Sequence, residues 1–233
     1  MIRATLVYLF MGLYIMLLAP FGMLWTLIAR DGGKLLYRLA RFCIRAAGLM
    51  CQVKVVAQGR EKIAPGMTYV FLSNHQGNFD GPVLLHVVSR DLRALIKQEM
   101  MRLPVLSLIL KQVQFVPIER LNPKKAHLSI EFGARLLTEG KSFFAFPEGT
   151  RSRDGRLGEF KKGVFLMAIK AQAPVVPVTI RDSANIQPPG KYGIKPGCIH
   201  VIIHDPIETK GMTLDNRNQL IQRTRDAIAS GLS

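Results

Sequence analysis

The sequence predicts an α/β domain with a mixed, largely buried sheet flanked by helices, preceded by a long apolar amino-terminal segment. Three observations carry this. After residue 50, short apolar runs alternate with stretches of helical periodicity, as strands laid between helices do. Most of those runs lack the apolar–polar alternation of a half-exposed strand, so the sheet is covered on both faces. And residues 4–29 carry no formal charge. With 48% hydrophobic and 21% charged residues in 233, there is ample material for a packed core, and general disorder is excluded.

The apolar segment comes first. As a helix at about 1.5 Å per residue it reaches ~39 Å, enough to cross a hydrocarbon layer of ~30 Å. Pro20 and Gly22 interrupt it, so a kinked or re-entrant pair of half-helices is an equal reading. A cleaved leader fits less well, because Leu27-Ile28-Ala29 is not a small-x-small site. Lys34, Arg38, Arg41 and Arg45 then recur at spacings of four, three and four, on one helical face, with Leu35, Leu36, Leu39, Phe42, Ile44 and Leu49 as the apolar remainder. Such a helix suits the plane of a membrane interface, its cations reaching anionic headgroups. Residues 30–54 hold six bases and one acid, against Arg3 alone before the apolar run. If the run spans a bilayer, that bias places the main domain in the cytoplasm. Residues 1–50 are thus expected to be membrane-binding helices and 51–233 the α/β domain.

Within that domain, strands are expected over 53–57, 69–73, 93–96, 114–118, 142–146, 175–180 and 199–203. Helices are expected over 82–89, 124–139, 163–171 and 215–230, with a further one over 100–111 interrupted at Pro104. Pro177 should put its strand at an edge or in irregular pairing.

Lys+Arg 32 against Asp+Glu 16 gives a net charge of +16, which calls for an anionic partner: a phosphate-bearing ligand, a nucleic acid or an acidic membrane. Cys43, Cys51 and Cys198 are too few and too scattered for a disulfide framework or a structural zinc site. There is no RNP-type aromatic sequence, zinc finger or basic heptad region, and the one Trp lies in the apolar run, so nucleic acid is not the expected partner.

In an α/β sheet, ligands gather at the loops leaving the strands. The first such loop is Asn74-His75-Gln76-Gly77-Asn78-Phe79-Asp80. An imidazole takes a proton near neutral pH, and a carboxylate on its other nitrogen orients the ring. Five residues apart on a regular helix the two would diverge by about 140°, so their contact needs the turn that Gly77-Asn78 supplies. Asp80, before Gly81-Pro82, is also a good helix N-cap. The second loop is Phe146-Pro147-Glu148-Gly149-Thr150-Arg151-Ser152, where Gly149 admits close approach, Thr150 and Ser152 offer hydroxyls, and Arg151 can grip phosphate. Arg153, Arg156, Lys161 and Lys162 follow, giving seven bases against three acids over 141–170. The third ends in Glu119-Arg120, with Lys124 and Lys125 close behind; the fourth, Val175-Val176-Pro177-Val178-Thr179-Ile180, is mainly a buried strand.

NHQGNFD, IER, FPEGTRS and VVPVTI, in that order and spacing, resemble the four blocks of the glycerolipid acyltransferases, with the closest likeness to bacterial 1-acyl-sn-glycerol-3-phosphate (lysophosphatidate) acyltransferases. The resemblance covers roughly residues 50–210. It implies acyl transfer from a thioester, acyl-CoA or acyl-carrier protein, to the sn-2 hydroxyl of lysophosphatidate, giving phosphatidic acid at the cytoplasmic side of a bacterial inner membrane. By position, His75 would be the general base and Asp80 its orienting partner, while Arg120, Glu148, Gly149, Thr150 and Arg151 would form the phosphate-acceptor site. Lys161, in Phe160-Lys161-Lys162-Gly163, falls in a stretch that also resembles the family's. Glu119 stands where family members often have Asp. Another acceptor of the same class, such as glycerol 3-phosphate, another lysophospholipid or a lyso-aminolipid, is the alternative. No cofactor and no metal is expected, and the lack of a G-x-S-x-G sequence makes direct attack on the thioester simpler than an acyl-enzyme.

Other signals point nowhere. Gly140-Lys141-Ser142 lacks the earlier glycine of a P-loop, since Arg135 stands there, and it joins a helix to a strand. His200 and His204 are spaced as two metal ligands could be, without a third.

Overall fold

A computed structural model describes all residues except 1, 32, 89, 153 and 233, so Arg153 and the end of the helix expected over 82–89 lie outside the described residues. In chain order the elements are α1 (Ile2–Ala29), α2 (Lys34–Cys51), β1 (Val53–Gln58), β2 (Val70–Ser73), α3 (Asp80–Val87), β3 (Arg93–Lys97), α4 (Pro104–Gln112), β4 (Val116–Ile118), α5 (Pro123–Thr138), β5 (Phe143–Ala145), α6 (Gly163–Lys170), β6 (Val175–Arg181), α7 (Ser183–Ile186), β7 (Gly197–Ile203) and α8 (Arg217–Ser230). The strands form one mixed sheet of order β1-β7-β6-β2-β5-β3-β4, parallel throughout except between β6 and β7. Each strand begins and ends within two residues of its predicted place.

The sheet is covered on both sides, as the unbroken apolar runs require. On one side Phe143, Phe165, Met167 and Leu220 fill the layer under α5, α6 and α8; on the other Phe71, Leu84, Leu92 and Ile199 pack under α3 and α4. The helix expected over 100–111 is two pieces, a 3-10 turn over Gln98–Arg102 and α4, which starts at Pro104. Pro is favoured there because the first helical N–H has no partner in any case.

Pro177 has the second of its two expected placements, an irregular pairing and not an edge. Its strand β6 is interior, between β2 and β7, and Pro177 itself pairs with Leu72 of β2. The ring is tolerated because the β7 ladder stops at Val178 opposite Ile203; beyond it the Pro177 carbonyl still accepts from the His204 N–H at 3.0 Å.

Of the two readings of the apolar segment the structure has the single helix: α1 runs through Pro20. Ala4, Val7, Ala19, Gly22 and Thr26 make one buried face. A Cβ on Gly22 would come within 2.8 Å of Leu36, so the small residue is what lets α1 lie close on α2. Pro20 is on the exposed side. The α1–α2 hairpin is bonded into the body. Tyr37 donates its hydroxyl to the Leu92 carbonyl at 2.7 Å, and Tyr8 meets Tyr192 with ring centroids 5.0 Å apart and planes tilted by 40°; within the hairpin Tyr14 donates to the Leu39 carbonyl at 3.0 Å. On α2, Lys34, Arg38 and Arg45 are exposed, whereas Arg41 is half-buried and donates to Asp91 at 3.3 Å, so it is not available to a headgroup as expected.

Candidate active site

Because β5 and β6 flank β2 in parallel, the loops after β2 and β5 leave the same sheet edge side by side. Asn74 starts the first loop with a device that no local pattern announces. Its buried side-chain amide donates to the Ile180 carbonyl and accepts the Ile180 N–H, both at 2.8 Å. The side chain thus continues the β2–β6 pairing where the β2 backbone has already turned away, and it fixes the point from which His75 departs.

His75 and Asp80 meet. The ring Nδ1 lies 2.7 Å from Asp80 Oδ2, which also accepts the backbone N–H of Gln76 at 2.7 Å and of Gly77 at 2.8 Å. Asp80 is completely buried. It sits in the first turn of α3 rather than at the N-cap, which is Phe79, so its carboxylate folds back on the preceding loop instead of capping the helix. This hairpin of chain needs Gly77: a Cβ there would lie 2.7 Å from the Ser183 carbonyl carbon and oxygen. The His75 ring stacks on Phe146, with centroids 3.9 Å apart and planes 12° from parallel.

The second loop is sewn to the first. Glu148 is buried, and its carboxylate accepts the N–H of His75 at 2.9 Å on one oxygen and of Gly158 at 2.8 Å on the other. Burial pushes the Glu148 carboxyl up from its ordinary pKa, against the opposing pull of those two amides. The His75 carbonyl accepts the Ser152 N–H at 2.7 Å, and Gln76 Nε2 donates to the Gly155 carbonyl at 3.0 Å. Arg151 donates to the Asn78 side-chain carbonyl. These contacts give Glu148 a task other than the phosphate contact expected of it. A carboxylate repels a phosphate, and this one already holds the backbone of the loop that carries the imidazole.

The other expected residues do gather. Arg120, exposed at the end of β4, reaches across to donate to the Gly149 carbonyl. Gly149 has φ +75°, and a Cβ on it would lie 3.5 Å from the Arg120 guanidinium and 3.8 Å from Lys161 Cγ. The Lys161 N–H donates to the Pro147 carbonyl at 2.8 Å, while its ammonium stands 3.5 Å from Glu159. Thr150 and Arg151 are exposed beside them. Three cations therefore rim the edge beside the His75 loop. With Nδ1–H given to Asp80, a neutral imidazole keeps its basic lone pair on Nε2, so the arrangement can accept a proton beside a place where an anion is welcome. Asn74, Gln76 and Phe146 are the contributors that sequence reasoning missed; Phe146 stood in view within its motif, but nothing local showed that it backs the imidazole.

Among the described residues no group of three or more His, Cys, Asp or Glu side chains is placed to hold a metal ion. His204 hydrogen-bonds Thr179 at 2.9 Å, whereas His200 of β7 is in register with Arg181 of β6.

The acyltransferase family model matches residues 54–181. A chloroplastic 1-acyl-sn-glycerol-3-phosphate acyltransferase of Brassica napus is 38% identical over 156 residues, 66% of this chain and 45% of that protein. A 1-acyl-sn-glycerol-3-phosphate acyltransferase of Borreliella burgdorferi is 25% identical over 199 residues, 85% of this chain and 80% of that protein. The chain spans about half the length of the plant and algal relatives it matches. The crystal structure of the 1-acyl-sn-glycerophosphate acyltransferase of Thermotoga maritima superposes with a TM-score of 0.81 at 24% identity, covering 99% of this chain and 96% of that one, and so shares its fold.

Proposed function

Because the chain belongs to the acyltransferase family, we propose that it moves a fatty acyl group from a thioester, acyl-CoA or acyl-carrier protein, to the sn-2 hydroxyl of 1-acyl-sn-glycerol 3-phosphate, giving phosphatidic acid. The observation that carries the reading is the 2.7 Å contact between His75 Nδ1 and Asp80 Oδ2 beside the cationic rim. In this reading His75 Nε2 takes the proton of the acceptor hydroxyl as that oxygen attacks the thioester carbonyl carbon. The tetrahedral intermediate then collapses, the C–S bond breaks, and the leaving thiolate receives the proton from the imidazolium. Asp80 holds the ring and balances its transient charge. Arg151, Arg120 and Lys161 hold the acceptor's phosphate, Arg151 exchanging its neutral partner Asn78 for a charged one. Thr150 and the Gly149 backbone complete that rim.

Both lipids live in a bilayer, and residues 1–50 suit that. The outer face of α1 is apolar and exposed along 28 residues, and the helix is docked on the body near both of its ends. Contacts at both ends favour a helix lying in the plane of one leaflet, since spanning would carry the body into the lipid with it. Behind Phe79 an apolar recess of about 280 Å³, lined by Ile44, Val53, Val83 and His86, supports acyl-chain binding next to the base. The reading further places the protein at the cytoplasmic side of a bacterial inner membrane, without cofactor and without nucleic acid as partner.

The test is an assay of the purified protein in lipid–detergent micelles with a panel of acceptors and both donor types. Phosphatidic acid should form from lysophosphatidate, with no burst of free thiol when acceptor is left out. Turnover of glycerol 3-phosphate in preference to lysophosphatidate would overturn the acceptor, and a stoichiometric thiol burst would overturn direct attack.

A further inference from the structure

Helix α4 carries apolar side chains on two opposite faces, its polar residues being Ser107, Lys111 and Gln112. Leu106 and Leu110 face the sheet core, which is ordinary, but the opposite side presents Leu103, Val105 and Leu108 at 58%, 51% and 52% exposure, with Met100 beside them in the preceding turn. A helix greasy on both faces is at home under a second protein layer or against lipid. The charges around it are mainly positive: Arg102 and Lys111 bracket the patch, both exposed, and the acid of the preceding turn, Glu99, lies 3.3 Å from the Lys97 ammonium.

We propose that the turn over Gln98–Arg102 and α4 form a third membrane-contacting element, whose outer face inserts into an anionic bilayer beside α1 and α2. The inference rests on the membrane association proposed above. Position selects lipid over other occupants. The carboxyl end of α4 touches α1, where Gln112 Nε2 donates to the Met23 carbonyl at 3.4 Å and Val113 packs with Met23, Leu36 and Tyr37. The patch therefore continues the exposed face of α1 instead of standing apart from it. Arg102 and Lys111 can lay their aliphatic stems along the patch while their charges reach phosphate headgroups. The turn over Gln98–Arg102 also follows directly from β3, whose carboxyl end opens on the same sheet edge as the His75 loop. Insertion here would seat that edge at the lipid surface together with α1.

The chain's single Trp makes the test direct. Trp25 lies half-exposed on α1. Its emission in the unaltered protein reports insertion of α1 into phosphatidylglycerol–phosphatidylethanolamine vesicles with brominated acyl chains. Trp25→Phe combined with Leu108→Trp moves the reporter to the patch; Trp25→Phe with Leu128→Trp moves it to an exposed site on α5, in the opposite layer. The expected result is quenching at 108 comparable to that at 25, and none at 128. Quenching at 25 without quenching at 108 would overturn the inference and leave α1 as the anchor. Absence of quenching at both positions would overturn both, and equal quenching at 108 and 128 would show unspecific adsorption and also overturn it. Acyltransferase assays on the same samples keep the catalytic reading separate, since quenching at 108 in a protein inactive on every acceptor would sustain the inference alone. A second pair, Leu103→Asn with Leu108→Asn, removes apolar area without a reporter; vesicle affinity should fall on the order of tenfold, and an unchanged affinity would count against insertion.

Discussion

The two loops that meet at the sheet edge are built in opposite ways. The 74–80 loop is buried and saturated: Asp80 accepts three donors on one oxygen, Asn74 is bonded at both ends of its amide, and Gly77 is pressed against the Ser183 backbone. The 149–158 loop lies outside. Its arginine rests on a single neutral acceptor, and Thr150 and Arg156 stand in solvent. A base must be oriented before the substrate arrives, because misalignment by about 1 Å can cost a hundredfold in rate. A cation that grips a mobile lipid headgroup benefits from being held lightly, since its resting contact must be given up. Under the proposed function, the difference separates a part that would set kcat from a part that would set KM.

Removing the imidazole is the strongest way to break that contrast. His75→Ala should lower kcat by about 10²–10⁴-fold while leaving vesicle binding as it was, measured by cosedimentation. Gly77→Ala comes next. Its methyl group would meet the Ser183 backbone, so it should destabilise the fold by about 1–3 kcal/mol and reduce kcat by about a hundredfold through the displaced ring; wild-type rates would show that the loop is not tightly packed. Arg151→Ala should raise the acceptor's KM by roughly tenfold or more, the worth of a charge-assisted hydrogen bond, with kcat little changed. A kcat effect without a KM effect would move Arg151 to the other side of the comparison.

The smallest effect distinguishes a bridge from a phosphate ligand. Glu148→Gln turns an amide donor toward one of two backbone N–H groups now satisfied by oxygen. It should cost about 1–3 kcal/mol of stability and lower kcat more than it raises KM. The pH dependence has a definite sign. The folded-state pKa of Glu148 is raised by burial, so the native chain binds this proton more readily than the unfolded chain does. The group's contribution is fully present below the ordinary carboxylate pKa and is lost as pH rises through the elevated one. Wild type should therefore gain stability relative to Glu148→Gln as pH falls through that window, as read by thermal unfolding.

What could be read ahead of the structure was what local chemistry encodes. Apolar runs between turn residues placed all seven strands, and His75, Asp80 and Arg151 stood out because few other tasks ask for those residue types together. What could not be read depends on which strand lies next to which. Asn74 matters because β6 is the neighbour of β2, Phe146 because β5 is the other neighbour, and Glu148 because both loops leave one edge; no periodicity reports a sheet order. Pro177 leaves edge and irregular pairing open for the same reason, its missing N–H falling where the β7 ladder ends. Arg41 was assigned to headgroups by its spacing, and Asp91, fifty residues away, was not in sight. Pro20 leaves a broken helix as one of two readings because its cost is visible in the sequence, whereas the packing of Gly22 on Leu36 is not.

The exposed side of α1 has a consequence for how the protein comes into being. A rod of some two dozen greasy residues with one side uncovered will find another chain to stick to unless a targeting factor or detergent covers it. Yield of monodisperse protein should therefore depend on amphiphile supplied during synthesis, and chains refolded in plain buffer should aggregate through this helix even when the sheet has formed correctly.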